Sequence, residues 1–368
     1  MSMDKNYRIT VIGAGDRGGA YMRMLDKYYK GRVEMACVCD ERQDRQDKAF
    51  KDFGFDKKDK DWREAIKSSN PDIVIIAVPA YLHCDIAAFS MERGAHVLTE
   101  KPFDLDLKKC FALRETSQRT GKKLAIGLQY RNIAGYRAMK HLFDANILGT
   151  NRMTVYNDMR QTRPKIAMHD AVYGNGGPMV DMACHLFDLM RWYYGCNPVS
   201  VFCQWSKCAV KRPSLASIEH KAADAGAITI TFADGSLGVI TMNWGLPEKV
   251  DGLYMTYTAG SEALVDVHAI RNDDVLAVAK VAGGETLSFG ISEDDRPEVE
   301  CAEKTVFDYL TLDIENKGKI QASFEEGIIT LACSMAAMKS GALGRPVTLA
   351  EIYKEQPTIF SAMRANEN

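Results

Sequence analysis

The chain has 368 residues, which at roughly 100–200 residues per domain favours two domains, each able to bury an adequate core. With 46% hydrophobic and 26% charged residues it has an ordinary globular composition, which excludes wholesale disorder and collagen-like repeats. Forty-seven basic against 49 acidic residues leave a net charge of −2, without the basic excess that nucleic-acid binding draws on.

Residues 1–6 are polar, with neither the apolar core nor the cleavage pattern of a signal peptide. The longest strongly apolar run, 73–80, is far too short to span a membrane, so no membrane partner is expected. Ten cysteines are scattered without a Cys-x-x-Cys pair, which removes the usual spacing of structural zinc and redox sites. Free thiols in a reducing cytoplasm and a protein without a metal are the expectation.

The first third alternates strands and helices. Residues 8–12 read as a buried strand, and 16–28 show helical spacing with Ala20, Met24 and Leu25 on one side. A second strand at 33–39 is followed by a charged helix ending near Phe53, and the mixed-sign stretch 57–61 reads as a solvated loop. Residues 72–78 form a continuous apolar strand, the kind that parallel sheets bury on both faces. A helix at 83–93, a strand at 96–99, a helix at 105–120 and a strand at 123–128 continue the alternation. Helices of this length between strands imply right-handed crossovers and a doubly wound parallel sheet, an α/β domain over 1–128.

Beyond Gln129 the rhythm changes. A helix at 132–146, a strand at 152–158, a loop and one long helix at 179–194 lead to strands at 199–205, 227–232, 237–244, 254–259 and 263–267. Ala233-Asp234-Gly235-Ser236 is a hairpin turn, because Asp-Gly readily supplies positive φ. Helices return over 305–341, so residues 129–368 are expected to form an α+β domain on a mostly antiparallel sheet.

Gly13-Ala14-Gly15-Asp16-Arg17-Gly18 is a Gly-x-Gly-x-x-Gly sequence placed after a predicted strand and at the start of a predicted helix. The first glycine permits a tight turn, the second lets a pyrophosphate approach the backbone, and the third lets helix and strand pack closely. Asp40 lies 22 residues past the last glycine, near the spacing expected for the acid that binds the adenosine ribose. A carboxylate there accepts bonds from the ribose diol and repels a 2′-phosphate, which argues for NAD over NADP. Arg42 is the complication: it either accommodates that phosphate or, as favoured here, is a solvated residue at a helix start.

Val78-Pro79-Ala80-Tyr81-Leu82-His83 ends one strand, and Arg93-Gly94-Ala95-His96-Val97-Leu98-Thr99-Glu100-Lys101-Pro102 follows. Further on come Gly176-Gly177-Pro178-Met179-Val180-Asp181, then His185 and Asp188. In this order the motifs resemble those of the glucose–fructose oxidoreductase / inositol dehydrogenase family (Gfo/Idh/MocA) across essentially the whole chain. The resemblance implies a Rossmann domain, then an α+β domain whose large open sheet often mediates homodimers or homotetramers. It also implies metal-free, nicotinamide-dependent chemistry at a secondary alcohol of a sugar, glycoside or cyclitol. The cofactor-binding set it suggests is Gly13, Gly15, Asp16, Arg17, Gly18, Asp40, Arg42, Val78, Pro79, His83, Glu100 and Lys101. Tyr130 and Arg131 occupy positions near the substrate in relatives, with a structural role about as plausible.

Chemistry read from the residues agrees. Asp181 and His185, four apart on a predicted helix, project from one face. His185 titrates in the range useful to a base for the hydroxyl proton, and Asp181 could orient a substrate hydroxyl or hold the imidazole. A structural hydrogen-bonded pair is the plainer alternative for the two. Lys101 follows a parallel strand, at the edge where open α/β sheets bind ligands, and its ammonium could stabilise a developing alkoxide. Arg160, Arg163, Lys165 and His169 lie in a polar loop that either shapes a pocket for a polyhydroxylated or acidic substrate or is simply solvated. Arg163 and His169 join Lys101, Tyr130, Arg131, Asp181 and His185 as the expected substrate set. Two rival functions remain open: a glycosidase working by transient oxidation with bound NAD, and a non-catalytic NAD(H) sensor.

Overall fold

The computed structural model describes residues 6–163, 166–267, 277–290 and 296–366. The chain divides into two compact units, one of residues 1–104, 108–129 and 301–328, the other of residues 105–107, 130–300 and 329–368.

The first unit holds a six-stranded sheet: β1 (Tyr7–Ile12), β2 (Val33–Cys39), β3 (Lys57–Asp59), β4 (Ile73–Ile76), β5 (His96–Thr99) and β6 (Leu124–Ile126). Every pairing is parallel and the order is β3-β2-β1-β4-β5-β6. The direction of winding reverses between β1 and β4, which opens a crevice at their carboxyl ends. Register decides what reaches it. Ile12 lies beside Cys39 and Ile76, and Thr99 beside Ile76 and Ile126. Gly13, Asp40, Ala77, Glu100 and Gly127 therefore all leave the sheet at one edge.

Two elements depart from expectation. Residues 57–59 form an edge strand paired with β2 rather than a loop, since an outermost strand tolerates the lysines that obscure its pattern. The helix Trp62–Ser69 follows, with Asp61 accepting from the Arg63 and Glu64 amides as its cap. The placement of residues 301–328 also differs from a simple division after 128. Val306, Phe307 and Leu310 of the helix Ala302–Ile314 are buried in one core with Ile9, Val11, Leu25 and Tyr29. An apolar helix face so late in the chain finds its partner only in three dimensions.

Among the described residues the second unit carries nine strands: β7 (Met153–Gln161), β8 (Pro198–Ser206), β9 (Ala225–Phe232), β10 (Leu237–Leu246), β11 (Leu253–Ala259), β12 (Ala263–Asp266), β13 (Ala277–Val281), β14 (Thr286–Phe289) and β15 (Val347–Thr348). Their order is β14-β13-β12-β11-β7-β10-β9-β8-β15, antiparallel throughout except for β10 beside β7. The β9–β10 hairpin turns at Gly235 with φ of 83°, and the Asp234 carboxylate accepts from both the amide and the hydroxyl of Ser236. Burial alternates along β9 and β10. Ile228, Ile230, Ile240 and Met242 lie on the face covered by the helices Pro178–Asp181 and Ala183–Tyr194, while Phe202, Leu237, Leu253, Met255 and Leu264 stay exposed on the far face. Gly238 lets that helix sit close, since a Cβ there would lie 2.4 Å from Met190 Sδ. No helix among the described residues is long and apolar enough to cross a membrane.

Candidate active site

In the first unit the glycine loop is built by steric demand. Gly13 has φ of 97°, and a Cβ on it would meet the Ala77 carbonyl oxygen at 2.3 Å. A Cβ on Gly18 would lie 1.8 Å from the Gly13 carbonyl oxygen, so helix Asp16–Tyr29 packs on the loop only through a glycine. Gly15 differs: its Cβ would meet only the tip of Arg45, at 3.4 Å. The helix begins at Gly15 without a side-chain cap, which leaves backbone N–H groups for an anion. Asp16 is exposed in the first turn. Asp40, nearly buried, accepts from Ala14 N at 2.7 Å and Arg42 N at 2.9 Å, tying the second strand's end to the loop. Space over Gly15, an uncapped helix start and a carboxylate beside the loop fit a dinucleotide. Arg42 is exposed and pairs with Asp44 at 2.7 Å.

Glu100 and Arg17 hold each other. Glu100 is 3% exposed, and its Oε1 accepts from Arg17 Nε at 3.0 Å, Arg17 Nη2 at 2.7 Å and the Tyr21 hydroxyl at 2.9 Å. Arg17 Nη1 donates to Glu303, a partner 286 residues away that no sequence signal marked. Burial opposes the Arg17 charge, but Glu100, Tyr21 and Glu303 outweigh it and hold its pKa above the ordinary value. These residues thus brace the loop from beneath. His83 likewise turns inward, with Nδ1 at 2.9 Å from the Pro102 carbonyl and Nε2 at 2.9 Å from the Val78 carbonyl. Burial pushes its pKa down although both carbonyls favour the protonated ring, and a neutral ring donates to one of them; the imidazole fills the space between the Val78-Pro79 turn and the one after Lys101. Val78, Pro79 and Lys101 remain half-exposed at the sheet edge.

The second unit brings Asp181 and His185 together on a broken helix. The expected single helix is two, Pro178–Asp181 and Ala183–Tyr194, and the His185 amide bonds to the Met182 carbonyl at 3.1 Å across the join. Gly177, with φ of 87°, admits the chain before it, since a Cβ there would lie 2.5 Å from Ala222 Cβ. Asn175 donates to Asp181 Oδ1 at 2.8 Å. His185 is 2% exposed and stacks on Tyr130, with centroids 4.0 Å apart and planes 6° off parallel. The Tyr130 hydroxyl donates to Met182 Sδ at 3.6 Å.

Arg131 is engaged internally: it donates to Asp188 twice, at 2.8 and 2.6 Å, and both side chains are buried. Such a pair adds little net stability, but losing one partner costs about 3–5 kcal/mol, so it fixes the Tyr130 segment to the His185 helix. His169 is buried too, its Nε2 at 3.0 Å from the Arg163 carbonyl, and burial lowers its pKa. Arg163 itself is exposed, and Lys165 lies outside the described residues. Among the described residues no group of three His, Cys, Asp or Glu side chains could hold a metal. Asn175, Tyr21 and Glu303 carried no motif, because only tertiary packing brings them to their partners.

Residues 7–128 match the oxidoreductase family with an NAD-binding Rossmann fold, and residues 136–262 match the GFO/IDH/MocA C-terminal domain. The inositol 2-dehydrogenase of Salmonella typhimurium (strain LT2) is 27% identical over 187 residues, 50% of this chain and 53% of that protein. The scyllo-inositol 2-dehydrogenase (NAD(+)) of Bacillus subtilis (strain 168) is 26% identical over 199 residues, 54% and 57% of the two chains. The chain thus matches little more than half the length of these curated relatives. Levoglucosan dehydrogenase, solved in complex with NADH, has the same fold, with a TM-score of 0.81 at 18% identity over 94% of this chain and 99% of that one.

Proposed function

The chain belongs to the Gfo/Idh/MocA family of oxidoreductases with an NAD-binding Rossmann fold, and from that premise we propose an NAD-dependent dehydrogenase acting on a secondary hydroxyl of a sugar, glycoside or cyclitol. The observation that carries the reading is His185, stacked on Tyr130 one turn after an Asp181 that Asn175 holds. Gly13, Gly15 and Gly18 would seat the pyrophosphate on a loop that Arg17 braces, and Asp40 would take the ribose diol. When bound, NAD supplies the hydride acceptor. His185 takes the hydroxyl proton at a ring nitrogen, and the parallel Tyr130 ring fixes the imidazole plane. Asp181 orients the substrate hydroxyl or the imidazole. The Lys101 ammonium donates to the reacting oxygen and stabilises the alkoxide.

The ten cysteines are free thiols, which supports a cytoplasmic setting. The exposed apolar residues on the far face of the nine-stranded sheet support a homodimer or homotetramer, measurable by light scattering. The test of function is nicotinamide absorbance across cyclic polyols, free sugars and glycosides. His185→Ala is expected to lower kcat by about 10²–10⁴-fold on the best substrate while NAD affinity stays near its original value. Normal turnover by His185→Ala, or no NAD reduction with any polyol, overturns the reading.

A further inference from the structure

At the end of β7 the inner face of the nine-stranded sheet turns basic and aromatic. Asp158 and Arg160 alternate along β7, and Asp158 lies opposite Tyr254 on β11 and Met242 on β10, so Trp244, two residues on, shares their face. Arg160 Nε donates to Asp158 Oδ1 at 2.6 Å. The Arg160 guanidinium lies 4.7 Å from the centre of the Trp244 ring and 4.9 Å from that of Tyr254, and Arg163 lies 5.2 Å from Trp244. Arg160, Gln161, Thr162, Arg163, Gly252 and Tyr254 line an open cavity of about 390 Å³, a size that suits a small molecule.

Charge and position narrow what enters. Asp158 offsets one guanidinium, and among the described residues no ion pair engages Arg163, so the cavity keeps a net positive charge. Guanidinium is weakly hydrated, and its planar fork matches carboxylate and phosphate oxygens. One lining residue reaches towards the stacked histidine: Arg160 Nη2 lies 4.0 Å from Met182 Sδ, the same sulfur that accepts from Tyr130, and Tyr130 stacks on His185. A neutral polyol would gain an ordinary hydrogen bond from Arg163, whereas an acidic one would gain a stronger, charge-assisted one.

We propose that this cavity holds the anionic group of the substrate, a carboxylate or a phosphate, and that the enzyme acts on acidic polyols in preference to neutral ones. This rests on reading the His185 site as that of a polyol dehydrogenase. The experiment compares kcat/KM, with NAD and the full chain, for glucose, glucuronate and glucose 6-phosphate, and repeats this for other neutral and acidic sets. It adds calorimetric titration of the same acids into the protein and into Arg163→Gln. An acid is expected to surpass its neutral parent by about 10–100-fold, mostly in KM, and Arg163→Gln to remove most of that advantage. Which acid wins separates carboxylate from phosphate recognition. Neutral substrates used as well as acidic ones, with Arg163→Gln unchanged, overturn the proposal and leave the dehydrogenase reading standing. If no polyol of either kind reduces NAD, that reading fails; acid binding that Arg163→Gln abolishes still supports the cavity's role, and absent binding ends it.

Discussion

Asp40 shows how one side chain serves both loop and cofactor. Its oxygens already accept the Ala14 and Arg42 amides, yet each carboxylate oxygen keeps acceptor capacity for a ribose hydroxyl. A 2′-phosphate would instead place like charges a few ångströms apart, which costs about 1–4 kcal/mol between water and surface dielectrics. NAD is therefore expected to bind roughly tenfold or more tightly than NADP. Asp40→Ser should narrow or reverse this, since Arg42 pairs with exposed Asp44 and can be recruited by a phosphate. Titrating both cofactors into each protein measures it, and tighter NADP binding by the unmodified chain contradicts it. Arg131 carries the opposite lesson. Sequence alone gives a guanidinium near the substrate helix, but whether it meets a ligand or a buried carboxylate depends on Asp188 pointing back at it.

At the scale of elements, the glycine loop separates two kinds of constraint that a motif writes with one letter. The Cβ of an alanine at 18 would collide with the Gly13 carbonyl, whereas one at 15 meets only a flexible arginine tip. Gly18→Ala should therefore force the helix off the strand, destabilise the first unit by about 1–3 kcal/mol and weaken NAD binding. Gly15→Ala should fold with near-normal stability and lose affinity alone. Denaturant midpoints with NAD titrations check the pair, and equal stability loss at both positions would sink the distinction. The spacing of the motif is legible; which glycine is open is not, because that depends on what β4 and the loop place against it.

At the scale of the whole molecule, chain order and compactness part company. Residues 301–328 cluster with the first sheet, with Phe307 fully buried against residues some three hundred positions earlier. Phe307→Ala should cost about 3–5 kcal/mol, felt in the first unit. Hydrogen exchange should quicken at the Ile9 and Val11 amides while the β9–β10 hairpin keeps its protection. Loss of protection in the hairpin alone would contradict the assignment.

What the sequence determined by itself is what local rules encode: strand and helix periods, the glycine turn, the Asp-Gly hairpin, and helical structure around Asp181 and His185. The strands at 33–39 and 96–99 have the bounds expected, since a run of apolar residues between turns leaves little freedom. Tertiary structure alone decided the charged edge strand at 57–59, the break at Met182, the inward turn of His83 and the Glu100–Arg17 brace. The meeting of Arg160, Trp244 and Tyr254 from three strands is of the same kind. The physical reason is that a polar side chain's role depends on the partner that answers its charge or hydrogen bond, and such partners lie far away in sequence where no period records them.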